Sequence, residues 1–236
     1  MPLTPEEVEV LQLSLKVALC SVLVSLPLAT GVAYLLARTS FPGKTLFDAV
    51  VHLPLVLPPV VVGYFLLLSF GRNGPVGSLL SDWFGIVVMF KWTGAALAAS
   101  VMGFPLMVRA IRLSFEMIDR KLEAAASTLG AGRLAVFATV TLPLALPGVI
   151  TGMLLSFARG LGEFGATVTF VSNIPGETRT LPLAIYTYTQ VPAGDEAALR
   201  LSLIAVALSL AALFLSEVLV RRASRRMFGD DAHSRR

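Results

Sequence analysis

Five stretches of this chain, 17–37, 49–71, 92–108, 134–158 and 201–220, carry no Asp, Glu, Lys or Arg apart from Glu217 in the last. A helix needs about 20 apolar residues to cross the hydrocarbon of a bilayer, and all five runs reach that range. In lipid every backbone donor and acceptor must be satisfied within the chain, and a helix does so within itself. The expectation is an all-α integral membrane bundle of about five kinked transmembrane helices. It forms one domain over residues 1–236, with spans near 17–37, 46–70, 91–112, 136–158 and 200–220. Only 14% of the residues are charged, against about a quarter in soluble domains, so most of the surface must face something other than water. The first run reads as a retained helix and not a cleaved leader. Glu6, Glu7 and Glu9 stand where a basic segment would be, and Arg38 and Lys44 follow in place of a small-residue cleavage site.

A net charge of +4 suggests a nucleic-acid partner only where the basic residues form a patch; here they flank the apolar runs, and no nucleic acid is expected. One cysteine, Cys20, excludes an internal disulfide, and His52 and His233 stand far apart, so metal and redox chemistry are not expected. Asp48, His52 and Glu163 are too scattered to make an intramembrane catalytic set. Basic residues favour the cytoplasmic side. With the N-terminus outside and the C-terminus in the cytoplasm, segments 38–45, 109–133 and 221–236 face the cytoplasm. They hold two, five and six of the chain's 19 Lys and Arg.

Pro27, Pro54, Pro58, Pro59, Pro105, Pro143 and Pro147 each remove a backbone donor from a span. Broken backbone at membrane depth has to be buried in protein or line a cavity, which favours a packed bundle over isolated anchors. Asp48 and His52, four apart, share one side of the second span, where a hydrogen bond is expected.

Between the third and fourth spans, in the loop 113–134, Asp119 fits a helix N-cap, and Gly130 or Gly132 fits its stop. The predicted helix has about ten residues, with Leu122, Ala125, Ala126 and Leu129 on one narrow apolar face. So short a helix is marginal alone and needs a surface to lie against. Small alanines suit a tight protein groove better than a membrane interface, which favours bulky side chains.

Glu123-Ala124-Ala125, then Gly130, then Val140-Thr141-Leu142-Pro143 after nine residues, resembles the "EAA, glycine, nine residues, I-x-L-P" loop of permease subunits of ABC importers. One departure is that four residues, not the usual three, separate Ala125 from Gly130. Ala124 therefore takes the glutamate's formal place, and the Glu123 carboxylate sits about 100° round the helix from it. The resemblance implies that this helix is a cytoplasmic coupling helix seated on a separate ATP-binding subunit. Leu122, Glu123, Ala124, Ala125, Leu129, Gly130, Leu142 and Pro143 would then couple the chain to the ATPase. No phosphate-binding G-x-x-x-x-G-K-[ST] loop occurs. The chain is therefore read as a transport subunit and not an enzyme: it has no cofactor of its own, and ATP and Mg belong on the partner.

Gly160-Leu161-Gly162-Glu163-Phe164-Gly165 matches a dinucleotide fingerprint, which has meaning only between a strand and a helix. After a membrane helix it reads as a glycine-enabled break. Arg159 and Glu163, spaced i, i+4, fit a local salt bridge or a gate lining the path. The run 162–167 with 173–186, and the string 53–64, are similar to molybdate importer permeases. That resemblance implies a gate or pathway containing Arg159, Glu163, Phe164, Gly165, Thr167 and Asn173. It also implies a second copy of the chain, two ATP-binding subunits and an extracytoplasmic oxyanion-binding protein. The cargo would be molybdate or tungstate, with sulfate and thiosulfate permeases the nearest alternative and an ATP-independent carrier a further one. A divalent oxyanion cannot enter hydrocarbon. Lys16, Arg109, Arg112 and Arg159 would lend positive potential at the ends of its path, although the basic-inside topology already accounts for Arg109 and Arg112, and Thr167, Thr169 and Asn173 would offer neutral polar contacts.

Overall fold

The computed structural model describes residues 3–228, and these are helical with no strand. Helix α1 spans Pro5–Arg38, about twelve residues earlier than the apolar run begins. Its start is set by a capping box. The Thr4 hydroxyl accepts from the Glu7 amide, Glu7 Oε2 accepts from the Thr4 amide, and Pro5 occupies the first turn, where its missing N–H costs nothing.

The second run does not form one smooth helix. Its expected span at 46–70 is instead two helices, α2 (Lys44–Val56) and α3 (Pro59–Phe70), bent by 112°. Pro58 and Pro59 cause the break, because a helix cannot continue into a residue preceding proline and neither proline donates. The pair still runs the length of its neighbour. Asp48 of α2 meets Arg112, whereas Phe70 at the end of α3 lines a cavity with Thr93 and Ala96. Of the seven prolines in the spans, this tandem alone breaks a helix. Pro27, Pro54, Pro105 and Pro147 lie inside helices that carry on through them.

A short helix α4 (Pro75–Phe84) follows, then α5 (Trp92–Met117), the centre of the bundle. Five residues of the expected loop, 113–117, thus belong to α5. Helix α6 (Arg120–Thr128) and a single turn, α7 (Arg133–Val136), lead through a π-helical turn, Phe137–Thr141, into α8 (Leu142–Leu161). The chain closes with α9 (Gly165–Val171), α10 (Leu181–Thr189) and α11 (Asp195–Phe228). Among the described residues, four helical stretches are long and apolar enough to cross a membrane, five with the bent pair counted as one.

Helix α5 packs between α1 and α8 through small residues. Ala95, Ala98 and Ala99 are fully buried. A Cβ on Gly103 would lie 2.3 Å from Ser156 Oγ, and one on Gly148 2.3 Å from Ser114 Cβ. Close approach of backbones is how membrane helices gain packing without a hydrophobic drive between them. A second, bulkier cluster joins Leu36, Met107, Ile111 and Phe115 at the other end. Tyr34 meets Phe115 and Phe137 edge to face there, with centroids 5.5 and 5.1 Å apart, and the two phenylalanines lie tilted at 6.3 Å.

Candidate functional site

The two ends of the bundle hold different polar machinery. At one end the α1 terminus, α6 and the start of α8 meet. Asp119 caps α6, its side chain accepting from the Lys121 amide at 2.9 Å. Gly130, at φ +87°, ends it. The Gly130 amide donates to the Ser127 carbonyl and the Ala131 amide to that of Ala126, the paired closure of a Schellman turn. Of the two expected stops, Gly130 is the one used, and the helix has nine residues. None of them is buried, and Leu122 and Leu129 are 50% and 89% exposed. Ala124 and Ala125 are exposed as well, while Glu123 and Ala126 are half-buried.

Glu123 turns inward. Its Oε1 accepts from Arg38 Nη2 at 3.0 Å and from Thr141 Oγ1 at 2.7 Å, and Arg38 also reaches the Ile118 carbonyl at 3.4 Å. The Thr141 end of this bond lies in the π-helical turn, just before Pro143. That turn comes where proline denies α8 a regular start: the Leu142 amide bonds back to the Phe137 carbonyl, five residues away. Leu142 packs against the aromatic cluster, and Pro143 is exposed. The expected coupling residues therefore divide into an outward set on α6, an inward Glu123 and a buried-side Leu142.

The opposite end carries the other expected residues. Helix α8 stops at Leu161 and α9 starts at Gly165, so the glycine run breaks the helix. Arg159 Nη1 lies 2.6 Å from Glu163 Oε2, a charge contact angled outside a good hydrogen bond, while Oε1 accepts from the Ala166 amide at 2.8 Å. Glu163 is buried and caps the first turn of α9, where the helix presents free N–H groups. Phe164 stacks on Tyr186 with ring centroids 5.2 Å apart. Gly165 lets α9 cross α3, for a Cβ there would sit 2.8 Å from that of Pro59. Thr167 is buried. Asn173 is tied into a folded loop, donating to Thr187 Oγ1 at 2.7 Å and accepting from Arg179 Nε at 3.0 Å. Arg159, Glu163, Phe164 and Gly165 are thus gathered at one helix break, and Asn173 belongs to the loop that follows α9. Thr169 donates to the Gly165 carbonyl within α9.

The remaining cations are placed differently from one another. Lys16 Nζ rests over the Trp92 ring, 3.7 Å from its centroid. Arg112 bridges Asp48 at 2.9 Å and Glu116 at 2.8 Å, pinning α2 to α5. His52 Nδ1 meets the Asp48 carbonyl at 2.9 Å, and its carboxylate at 3.1 Å, in the expected i, i+4 contact. Arg109 joins these residues around a cavity of about 290 Å³. A larger cavity of about 650 Å³ between α1, α2 and α5 is lined by Val24, Leu28, Val51 and Phe104, a surface unsuited to an anion.

Sequence reasoning missed two residues that organise the ends. Arg200 forks onto Glu7 with Nε at 3.0 Å and Nη2 at 2.5 Å, joining the starts of α1 and α11. Arg38 does the same for α6. The Thr4-x-x-Glu7 box was a readable signal for the first; for the second, the partners lie 85 residues apart and nothing local announces them.

The family model for the binding-protein-dependent transport system inner membrane component matches residues 25–227. The chain belongs to that family. Among relatives of this permease, the molybdenum transport system permease protein ModB of Escherichia coli (strain K12) is 62% identical over 221 residues, 94% of this chain and 96% of its own. ModB of Haemophilus influenzae is 58% identical over the same shares. A solved bacterial alginate ABC transporter, in complex with an alginate pentasaccharide-bound periplasmic protein, contains a chain that superposes with a TM-score of 0.73. The match covers 93% of this permease and 80% of that chain at 16% identity, and so shows the fold alone. The permease is a multi-pass inner-membrane component, and its α6 is the exposed helix at one end of the spans.

Proposed function

We propose that this permease forms the membrane path of an ATP-driven importer that moves molybdate, with tungstate as an equivalent cargo, into the cytoplasm by alternating access. The observation that carries the reading is α6. It is a helix capped at both ends, with no buried residue and an outward face of Leu122, Ala125 and Leu129. A nine-residue helix held in shape but left unpacked is built to enter a groove on something else. An ATP-binding subunit, carrying ATP and Mg, supplies that groove. The near-full-length identity to molybdenum permeases supports the cargo.

The assembly pairs two copies of this chain with two ATP-binding subunits and an extracytoplasmic binding protein. Pairing is supported by α2, which buries no residue within the chain, and by α11, whose membrane-length window is wholly unburied. A symmetric dimer is the commonest closed assembly. The N-terminus lies outside, so that α6 and the basic segments around it face the cytoplasm. The break holding Arg159, Glu163, Phe164 and Gly165 is the outer gate. There a buried carboxylate ties α9 to α8, and release of the Arg159 contact frees α9 to swing.

The test is uptake of trace labelled molybdate by cells with and without the chain, challenged separately by excess tungstate and excess sulfate. Chain-dependent uptake blocked by tungstate and spared by sulfate is expected. Block by sulfate would transfer the cargo to sulfate, and uptake indifferent to the chain would sink the molybdate reading.

A further inference from the structure

The inward turn of Glu123 has a mechanical consequence for how motion at α6 reaches the spans. The backbone joins α6 to α5 through Ile118–Asp119 and to α8 through 129–132, which includes two glycines. Neither connection leads to α1. Among the described residues, the hydrogen bonds of α6 side chains other than Glu123 stay within α6, as with Ser127 to the Glu123 carbonyl and Thr128 to that of Ala125. Glu123 alone reaches out, and one oxygen takes both partners: Arg38 from the last turn of α1 and Thr141 from the π-helical turn. The Arg38 side chain is 8% exposed, Glu123 20% and Thr141 1%, and all three line one cavity of about 560 Å³, so the contact is partly sheltered from bulk water. A charge-assisted bond so sheltered is stiff and strong. The π-helical turn it grips is a natural point for a helix to flex.

Position 124, where the family pattern sets its glutamate, is exposed and holds alanine. The outward-facing position thus lacks a carboxylate, and the carboxylate present faces the permease. Resting on the importer reading above, we infer that Glu123 is a positioning residue: it transmits displacement of α6 to α1 and to the start of α8, and makes no contact with the ATP-binding partner. Thr141 and Arg38 are the receiving ends of the same strut.

The experiment uses the whole transporter in proteoliposomes, with the ATP-binding subunits and binding protein present. Oxyanion uptake and ATP hydrolysis are read in the same vesicles, using whichever oxyanion the wild type carries. Losing a bond to a charged group is worth about 1.5–3 kcal/mol, so Glu123→Ala should lower anions moved per ATP by about tenfold or more, with the ATP-binding subunits still bound. Thr141→Val, buried beyond any partner's reach, loses one bond to the same charged group and should lower the ratio by about tenfold as well. Glu123→Gln keeps an acceptor for both donors but loses the charge, and its ratio should fall between wild type and Glu123→Ala. Loss of the ATP-binding subunits in Glu123→Ala, with Thr141→Val unaffected, would mean an outward contact and overturn the inference. So would a parallel fall of uptake and hydrolysis, or an unchanged ratio in both variants. Failure of the wild-type chain to retain any ATP-binding subunit would instead sink the importer reading, and this inference with it.

Discussion

Gly63 sits where no side chain fits: an added Cβ would stand 2.6 Å from the Ala166 carbonyl oxygen and 2.9 Å from its Cα, both backbone atoms that cannot swing aside. Gly63→Ala should therefore push α3 off α9 and cost about 1–3 kcal/mol. Gly31, inside α1, is the control, since an added Cβ there would meet nothing within 4 Å. Gly31→Ala should stabilise by about 0.5–1 kcal/mol, and thermal unfolding of the two variants in one detergent should move in opposite directions. Gly130 is demanding for a different reason. Its surroundings are open, but its φ of +87° disfavours any Cβ, most of all a branched one. Gly130→Val should cost the α6 terminus about 1–2 kcal/mol; proteolysis between 118 and 132 should quicken while the thermal midpoint of the bundle holds. Gly63 and Gly130 look alike in the sequence. A glycine that ends a helix can be read from the run before it, whereas a glycine that admits a distant helix depends on a crossing formed by residues 103 positions away.

At the scale of elements, what could be read followed from local chemistry. Charge-free length gave the spans, and Asp119 with Gly130 gave α6 nearly to the residue, because caps act within one turn. Tandem prolines marked a break, but the 112° bend between α2 and α3 is set by what α3 packs on, namely α9 and the start of α5. The extension of α1 to Pro5 escapes a count of charge-free residues, since Glu6, Glu7, Glu9 and Lys16 interrupt it, and Glu7 is held by Arg200 from the far end of the chain. Helix α4 has no counterpart among the apolar runs at all. It leaves Leu79, Trp83 and Phe84 at 58%, 79% and 71% exposure, next to the end of α3. Aromatic side chains in this setting belong at the boundary of headgroups and acyl chains. The chain has two tryptophans, and Trp92 lies beneath Lys16. In a Trp92→Phe variant in nanodiscs, Trp83 emission should be quenched more by lipids brominated near the headgroup than by lipids brominated at the chain ends. The reverse order would place α4 deeper, and no quenching by either would place it against protein.

For the molecule as a whole, two polar ties fix which ends share a side. Glu7–Arg200 joins the starts of α1 and α11, and Arg38–Glu123 joins the end of α1 to α6. Relative sidedness is thus built into the structure, and one absolute assignment orients every helix. The orientation proposed above, with the basic residues near 38–45 and 109–133 and the α6 side in the cytoplasm, follows the rule that positive loops resist translocation. Labelling tests this directly once Cys20 is replaced by alanine to clear the background. Single cysteines at the exposed positions Glu9 and Glu196 should react with a membrane-impermeant maleimide on intact cells. A cysteine at Ser127 should react only after the inner membrane is opened. The opposite pattern would do more than invert a diagram. It would put α6 where no ATP is hydrolysed and leave the capped, unpacked helix without the partner that explains it. The result therefore bears on transport as directly as on topology, because in this chain the side on which α6 lies decides whether chemical energy can reach the spans.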